Sequence, residues 1–201
     1  MLNDKVRDLL KEISELEDEL HAALLAEQEA LSYKIEGSKI KFEEHIRLAQ
    51  SRIKTGSLKW LFTSDPRHLV TAPIIYAMIV PIAILDLTFS LYQFCCFPLY
   101  RVPKVKRRAY IAIDRQNLAY LNSIERFNCV YCGYSNGVIA YCREIAARTE
   151  QFWCPIKHAR KTLDPHRRYA KFAAFGDAER YPETLQEMRR SLRREPHPSD
   201  S

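Results

Sequence analysis

The sequence contains little glycine and none of the short motifs by which several large enzyme classes are recognised. Only 5 of the 201 residues are glycine. There is no Gly-rich phosphate loop, no G-x-S-x-G elbow and no H-E-x-x-H helix. The sequence therefore offers no catalytic constellation. Scarce glycine, together with abundant Leu, Ala, Glu, Lys and Arg, favours an all-α protein.

The amino terminus also lacks an apolar core. The first ten residues, MLNDKVRDLL, are too charged for a cleavable signal peptide. Residues 1–50 carry seven Lys/Arg against twelve Asp/Glu, whereas residues 101–201 carry twenty against eleven. A basic half beside an apolar run is typical of contact with an anionic membrane surface, and less often with nucleic acid.

Residues 1–55 are predicted to form one long amphipathic helix of the coiled-coil type. Apolar residues recur there at alternating steps of three and four, and the stripe then loosens around Gly37. This regularity predicts self-association or docking of a partner helix through residues 6–53, the alternative being a helix folded back on its own protein. The stripe comprises Val6, Leu9, Ile13, Leu16, Leu20 and Ala23, followed by Leu31, Ile35, Phe42, Ile46 and Ile53.

Residues 56–100 are predicted to be interfacial and then membrane-embedded. The run 69–100 contains one charge, Asp86, and neither Lys nor Arg. About 20 helical residues suffice to cross a bilayer core, so this run is too long for one upright span. Pro73 and Pro81 predict bends. Two topologies stay open: a tilted, bent span, or a re-entrant hairpin that bends near Pro81.

Asp86 is a functional candidate because an ionisable group at membrane depth is costly. The alternative is that it caps a half-helix or lies near an interface, since the run holds no second charge with which it could pair.

Basic residues flank the apolar run on both sides, more densely on the C-terminal side. The positive-inside rule therefore places the C-terminal module in the cytoplasm. Contact with an anionic surface is predicted for Arg101, Lys104, Lys106, Arg107, Arg108, Arg189, Arg190, Arg193 and Arg194.

Cysteine is clustered in the C-terminal half. Cys129 and Cys132 form a Cys-x-x-Cys pair before Gly133, and Cys154 precedes His158 by four residues. If a turn at CVYCG joins two helices into a hairpin, these four side chains converge as a closed Cys₃His site for structural zinc. Cys142 is the alternative fourth ligand. An iron–sulfur cluster, a redox dithiol and reduced, unliganded core cysteines stay open as alternatives.

The block LNSIERFNCVYCGYSNGVIAYCREIAARTEQFWCPIKHA, with the apolar run before it, resembles uncharacterised bacterial membrane-associated proteins. The resemblance covers about half of the chain and implies a bacterial inner-membrane setting, without an activity.

Together these features predict four parts: a coiled-coil-like helix (1–55), an interfacial and membrane-embedded segment (56–100), a basic cytoplasmic helical module with a metal knuckle (101–176), and a basic helix with a tail (177–201). The expected function is that of a membrane-anchored, non-enzymatic scaffold or adaptor with structural zinc. A membrane-associated redox or electron-transfer protein that uses Cys129 and Cys132, or an iron centre, is the first alternative. A membrane-tethered nucleic-acid binder is the second. No small-molecule substrate is identified.

Overall fold

The computed structural model describes residues 8, 12–13, 15–16, 18–20, 22–24, 26, 33–36, 39–42, 44–54, 56–63 and 65–195. This described part is mostly helical, in agreement with the all-α prediction. It also contains one antiparallel hairpin of β1 (Tyr33–Glu36) and β2 (Lys39–Phe42). The helices after the hairpin are α1 (Glu44–Arg52), α2 (Ser57–Thr63), α3 (Pro66–Ala77), α4 (Ile79–Tyr100), α5 (Ser123–Trp153) and α6 (Tyr181–Arg193).

The prediction of one helix over residues 1–55 is wrong. The described residues between 8 and 26 are helical, but the chain then forms the hairpin. Its register pairs Tyr33 with Phe42 and Ile35 with Ile40, so apolar positions lie opposite apolar positions. Strands have a period of two residues, so the helical stripe does not continue through residues 33–36 and 39–42. The predicted seam positions Val6, Leu9 and Leu31, and Gly37, lie outside the described residues.

Helices α3 and α4 follow one another through Met78, whose backbone is itself helical (φ −62°, ψ −13°). Together they form a 35-residue apolar element, here called the rod (Pro66–Tyr100). Asp65 caps its start by accepting a hydrogen bond from the Arg67 amide at 2.9 Å. Arg101, in the left-handed conformation, ends it. By length and composition the rod is suited to cross a membrane.

The rod does not fold back at Pro81, so the re-entrant hairpin is wrong. Near its start, the Tyr76 hydroxyl donates to Asn128 Oδ1 at 2.6 Å. At its end, the Tyr100 ring lies 5.2 Å from the Trp153 ring. Asn128 and Trp153 lie near opposite ends of α5. The rod therefore extends alongside α5, parallel to it.

Helix α5 is a single helix of 31 residues, which contradicts the predicted CVYCG turn and the two helices around it. Asn122 and Glu125 form a capping box at its start. Gly133 and Gly137 lie inside the helix rather than in a turn. A Cβ on Gly133 would lie 2.9 Å from the Ala112 carbonyl oxygen, and one on Gly137 would lie 2.8 Å from the Tyr110 carbonyl oxygen. These glycines admit another stretch of backbone to the helix surface.

That stretch belongs to residues 101–122, here called the return segment, which runs back from the end of α4 to the start of α5. Short 3₁₀ turns at Arg107–Ala109 and Arg115–Asn117 break its extended course. Its Val102 and Val105 are buried with Phe97 of α4 and Ile145 of α5. The core of the protein therefore lies where α4, the return segment and α5 meet.

The C-terminal part packs against the last turns of α5. A 3₁₀ helix (Arg167–Lys171) and α6 lie there, and Met188 and Leu192 of α6 are buried. Gln151 Nε2 donates to the Met188 carbonyl at 3.0 Å. The predicted division into four parts stays a prediction, although this packing ties α6 closely to α5.

Candidate membrane-contacting surface

The polar residues of α4 lie on one stripe, and that stripe faces the rest of the protein. Asp86, Ser90, Gln93 and Phe97 recur at steps of four, three and four, which places them on one face of a helix. Asp86 and Gln93 are only 8% and 7% exposed, and Phe97 is also buried. The sequence reads as apolar all round, yet α4 turns its few polar groups inward.

Asp86 is held by two partners that lie outside the apolar run, Arg107 and Tyr134. Arg107 of the return segment donates to it twice, from Nη2 to Oδ2 at 2.7 Å and from Nε to Oδ1 at 3.1 Å. The Tyr134 hydroxyl of α5 donates to Oδ2 at 3.0 Å. We call Asp86, Arg107 and Tyr134 the clasp. Such paired donors offset the cost of a carboxylate shielded from water.

Gln93 forms a second polar junction about two turns further along α4. Its Oε1 accepts from the Val105 amide at 2.8 Å, and its Nε2 donates to the Val105 carbonyl at 3.3 Å and to the Tyr141 hydroxyl. Ser90 lies 3.1 Å from that same hydroxyl. Asp86, Ser90 and Gln93 of α4 are therefore all hydrogen-bonded within the protein, which fixes how the helix is rotated about its axis.

The surface of the rod that faces away from the protein is mainly apolar and exposed. Only 6% of its most apolar 18-residue window is buried. Its exposed large apolar residues are Leu69, Val70, Ile74, Ile75, Met78, Val80, Ile84, Leu87, Leu91, Phe94 and Leu99. A contiguous surface of this kind on a protein marks a contact with lipid or with another protein.

Aromatic and basic side chains border the C-terminal end of this surface. Tyr100, Phe152 and Trp153 form an aromatic cluster with ring centroids 5.2–5.3 Å apart. Arg189 lies over the Phe152 ring at 4.8 Å and Arg193 at 5.8 Å. Aromatic rings beside cations are typical of the layer between hydrocarbon and water.

The predicted anion contacts differ in how far they are free to reach an anionic surface. Arg107 is engaged with Asp86 and is a structural residue. Lys104 lies over the Phe94 ring at 4.5 Å, beside the apolar surface. Arg101, Arg108, Arg190, Arg193 and Arg194 are exposed, Arg189 is half-buried against Phe152, and Lys106 is half-buried.

The structure does not bring the predicted zinc ligands together. Cys129 and Cys132 lie inside α5 and Cys154 lies at its C-cap. At 1.5 Å per residue, the 25 residues between Cys129 and Cys154 correspond to about 37 Å along the helix axis. His158 stacks on Tyr169 instead. Among the described residues, no group of three or more His, Cys, Asp or Glu is placed to hold a metal.

Cys142, the alternative fourth ligand, is buried between α5 and α4. Burial raises the pKa of its thiol to about 11, and the nearby charge of Asp86 acts in the same direction. A thiol with so high a pKa stays protonated at neutral pH and is a poor nucleophile and a poor metal ligand.

A buried ion-pair network at the other side of α5 was missed by sequence reasoning. Arg168 donates to Glu144 Oε1, to Glu195 Oε1 and to Gln151 Oε1 at 2.6–2.7 Å. Arg148, four residues after Glu144 on α5, also pairs with Glu144 at 2.9 Å and forms part of the same network. Burial raises the pKa of Glu144, but hydrogen bonds and charge attraction from the two arginines outweigh burial and lower it overall. The network joins α5 to the 3₁₀ helix and to the end of α6.

No protein family model, no curated protein and no solved structure matches this chain significantly.

Proposed function

We propose that this protein is a membrane-anchored, non-enzymatic adaptor that holds its helical module against the surface of a bilayer. The observation that carries this proposal is the division of α4. Asp86, Ser90 and Gln93 face the protein, while large apolar side chains are exposed on the opposite side of the rod. A helix that hides its polar groups within its own protein and exposes apolar ones on the other side is suited to lipid.

The geometry favours a rod that lies in the membrane surface over one that crosses it. Thirty-five residues at 1.5 Å each extend about 52 Å, whereas the hydrocarbon core is about 30 Å thick. Helix α5 runs beside the rod, and its Thr149 bonds to Tyr92 of α4 at 3.0 Å. An upright rod would carry the nearby charges of Glu144 and Arg148 into hydrocarbon, at high cost. An in-plane rod leaves them on the water side.

The charge of the module supports an anionic membrane surface as the partner. Residues 101–201 carry a net charge of +9, and each Lys or Arg close to an anionic leaflet contributes about 1 kcal/mol of attraction. The negative surface potential of the cytoplasmic leaflet and the resemblance stated above favour the cytoplasmic face of a bacterial inner membrane.

The adaptor role rests on the N-terminal helical residues. Ile13, Leu16, Leu20 and Leu24 are all more than half exposed at helical positions. They provide an apolar stripe on which a second copy or a partner helix can pack.

Vesicle flotation tests the proposal. The triple variant Leu87→Ser, Leu91→Ser, Phe94→Ser removes three exposed apolar side chains from one face of α4. Each apolar side chain that leaves lipid costs about 1.5–3 kcal/mol, so partitioning into phosphatidylcholine/phosphatidylglycerol vesicles should fall at least about 100-fold. The matched control is Leu163→Ser, Phe175→Ser, which changes two exposed apolar residues away from the rod (91% and 67% exposed). Equal flotation of the two variants would overturn the proposal.

A further inference from the structure

A groove of about 530 Å³ runs between α4 and α5 beside the exposed surface of the rod. Phe89 and Tyr92 of α4 form one wall, and Ala146, Thr149 and Trp153 of α5 form the other. Because the groove is open along the rod, anything that contacts the outer surface of α4 also has access to it.

Three polar side chains that line the groove, those of Tyr92, Thr149 and Glu150, already have partners. The Tyr92 hydroxyl and Thr149 Oγ1 bond to each other at 3.0 Å. Glu150 also lines the groove, and its Oε2 lies 2.9 Å from His166 Nε2. What the groove presents to an occupant is therefore chiefly hydrocarbon and ring surface, which suits an apolar chain rather than a polar metabolite.

At one end of the groove, Trp153 contacts an aromatic cluster that also holds two arginines. Trp153 belongs both to the groove and to the aromatic cluster with Tyr100 and Phe152. Arg189 and Arg193 lie over the Phe152 ring. Arg189 Nε donates to the Phe152 carbonyl at 2.9 Å, which anchors the guanidinium at this end. An apolar slot that ends in an aromatic boundary and two guanidinium groups has the polarity of an anionic amphiphile.

We propose that the groove binds one acyl chain of an anionic phospholipid, with the phosphate at Arg189 and Arg193. This inference rests on the proposed membrane function, because the lipid enters from the bilayer that the rod contacts. The bound lipid fills the space between α4 and α5 and adds a specific contact to the non-specific partitioning of the rod. The occupant is a membrane phospholipid, since the charge at the groove end matches a phosphate.

Quenching of Trp153 fluorescence by brominated lipid chains tests the proposal. The protein contains two tryptophans, so Trp60→Phe leaves Trp153 as the reporter. In neutral detergent micelles, phosphatidylglycerol with brominated chains should quench Trp153 with saturation near one lipid per chain. Brominated phosphatidylcholine should need about tenfold more lipid, which corresponds to about 1.4 kcal/mol. Arg189→Gln, Arg193→Gln should remove that difference between the two lipids.

A pair of alanine variants separates the groove from the surface. Ala146→Phe fills the groove and should abolish saturable quenching, whereas Ala140→Phe, at another exposed position of α5, should preserve it. Far-UV circular dichroism establishes that both variants are folded. Equal quenching in the two variants, or equal quenching by both lipids in the parent, would overturn the inference.

Flotation of the same proteins distinguishes the two proposals. If the unsubstituted protein floats with vesicles and the Trp60→Phe protein shows no saturable quenching, the proposed lipid site is wrong and the proposed membrane adaptor stands. A parent that does not float at all would defeat the proposed function, and the lipid site with it.

Discussion

Asp86 and Arg107 form a bidentate ion pair that joins α4 to the return segment. Its shortest distance is 2.7 Å, between Arg107 Nη2 and Asp86 Oδ2. The carboxylate side chain is 11% exposed and the guanidinium side chain is 49% exposed. The single charge of the apolar run is thus neutralised by a residue 21 positions further along the chain. The pair sets the rotation of the rod, because it holds the polar stripe of α4 against the protein.

Removing one partner of the pair should destabilise the protein more than removing both. Arg107→Gln leaves the Asp86 carboxylate shielded with only Tyr134 and Ser90 as partners. Because Arg107 is half exposed, we expect a loss of about 1–3 kcal/mol, below the range for fully buried pairs. Adding Asp86→Asn should restore part of this loss. Arg108→Gln, at an exposed neighbour, should change stability by less than about 0.5 kcal/mol.

Urea unfolding in neutral detergent, followed by far-UV circular dichroism, measures these differences. A double variant whose loss equals the sum of the two single losses would show that Asp86 and Arg107 do not interact.

The glycines of α5 give a second prediction. Alanine is favoured over glycine in a helix by about 1 kcal/mol, so Gly137→Ala would stabilise an unobstructed helix. Here the new Cβ would lie 2.8 Å from both the Tyr110 carbonyl oxygen and the Ile111 Cα. These are backbone atoms, so the return segment must move, at a cost of about 1–3 kcal/mol. Gly56→Ala, where nothing lies within 4 Å, is the control, and a Gly137→Ala protein as stable as the parent would refute the close approach.

These two features show what sequence reasoning could and could not supply here. Composition and length suffice to predict the apolar run 69–100 and the helical character of the chain. They do not predict the role of Gly133, because a glycine that follows Cys-x-x-Cys is typical of a turn. Only the tertiary approach of Ala112 explains it. The sequence likewise predicts an anionic surface as the partner of Arg107. It cannot indicate the true partner, Asp86, because that residue lies 21 positions away.

Acid should weaken the ion-pair network around Glu144. Burial raises its pKa, but Arg168 and Arg148 more than compensate, so the folded-state pKa lies below the ordinary value of 4.5. A carboxyl group with a lowered pKa contributes stability above its unfolded pKa and loses it as the pH falls through the folded value. We therefore expect the unfolding free energy of the parent to fall below about pH 4.5.

The difference between the parent and Glu144→Gln isolates this contribution. The stability advantage of the parent should be constant between pH 6 and 8 and should shrink steadily below about pH 4.5. Glu183→Gln, at an exposed position in the first turn of α6, should show no such pH-dependent difference. A difference in unfolding free energy between the unsubstituted protein and Glu144→Gln that does not change with pH would contradict an electrostatic contribution from Glu144.

Chelation tests the zinc hypothesis directly. Cys129 and Cys154 are separated by about 37 Å of continuous helix, so one ion cannot bind both. We expect the melting temperature and helicity to be the same with and without a strong zinc chelator. Elemental analysis of the parent and of Cys129→Ser supplies the complementary measurement. One zinc per chain that is lost in the variant, with a lower melting temperature after chelation, would show that α5 breaks near Gly133 in solution.

The last prediction concerns the two sides of the membrane. If the rod lies in the plane of the inner leaflet, the basic sites before it and after it are on the same side. A rod that crosses the bilayer separates them. Arg52 and Lys54 precede the rod, and Arg190, Arg193 and Arg194 follow it, all of them exposed.

In intact bacterial spheroplasts, trypsin added outside should cleave at neither group of basic residues, and after lysis it should cleave at both. Cleavage at only one group in intact spheroplasts would establish a crossing rod, and cleavage at both would place the protein on the outer face. We expect the in-plane arrangement because the Arg168–Glu144–Glu195 network fixes charged residues on α5, and a crossing rod would carry α5 into hydrocarbon.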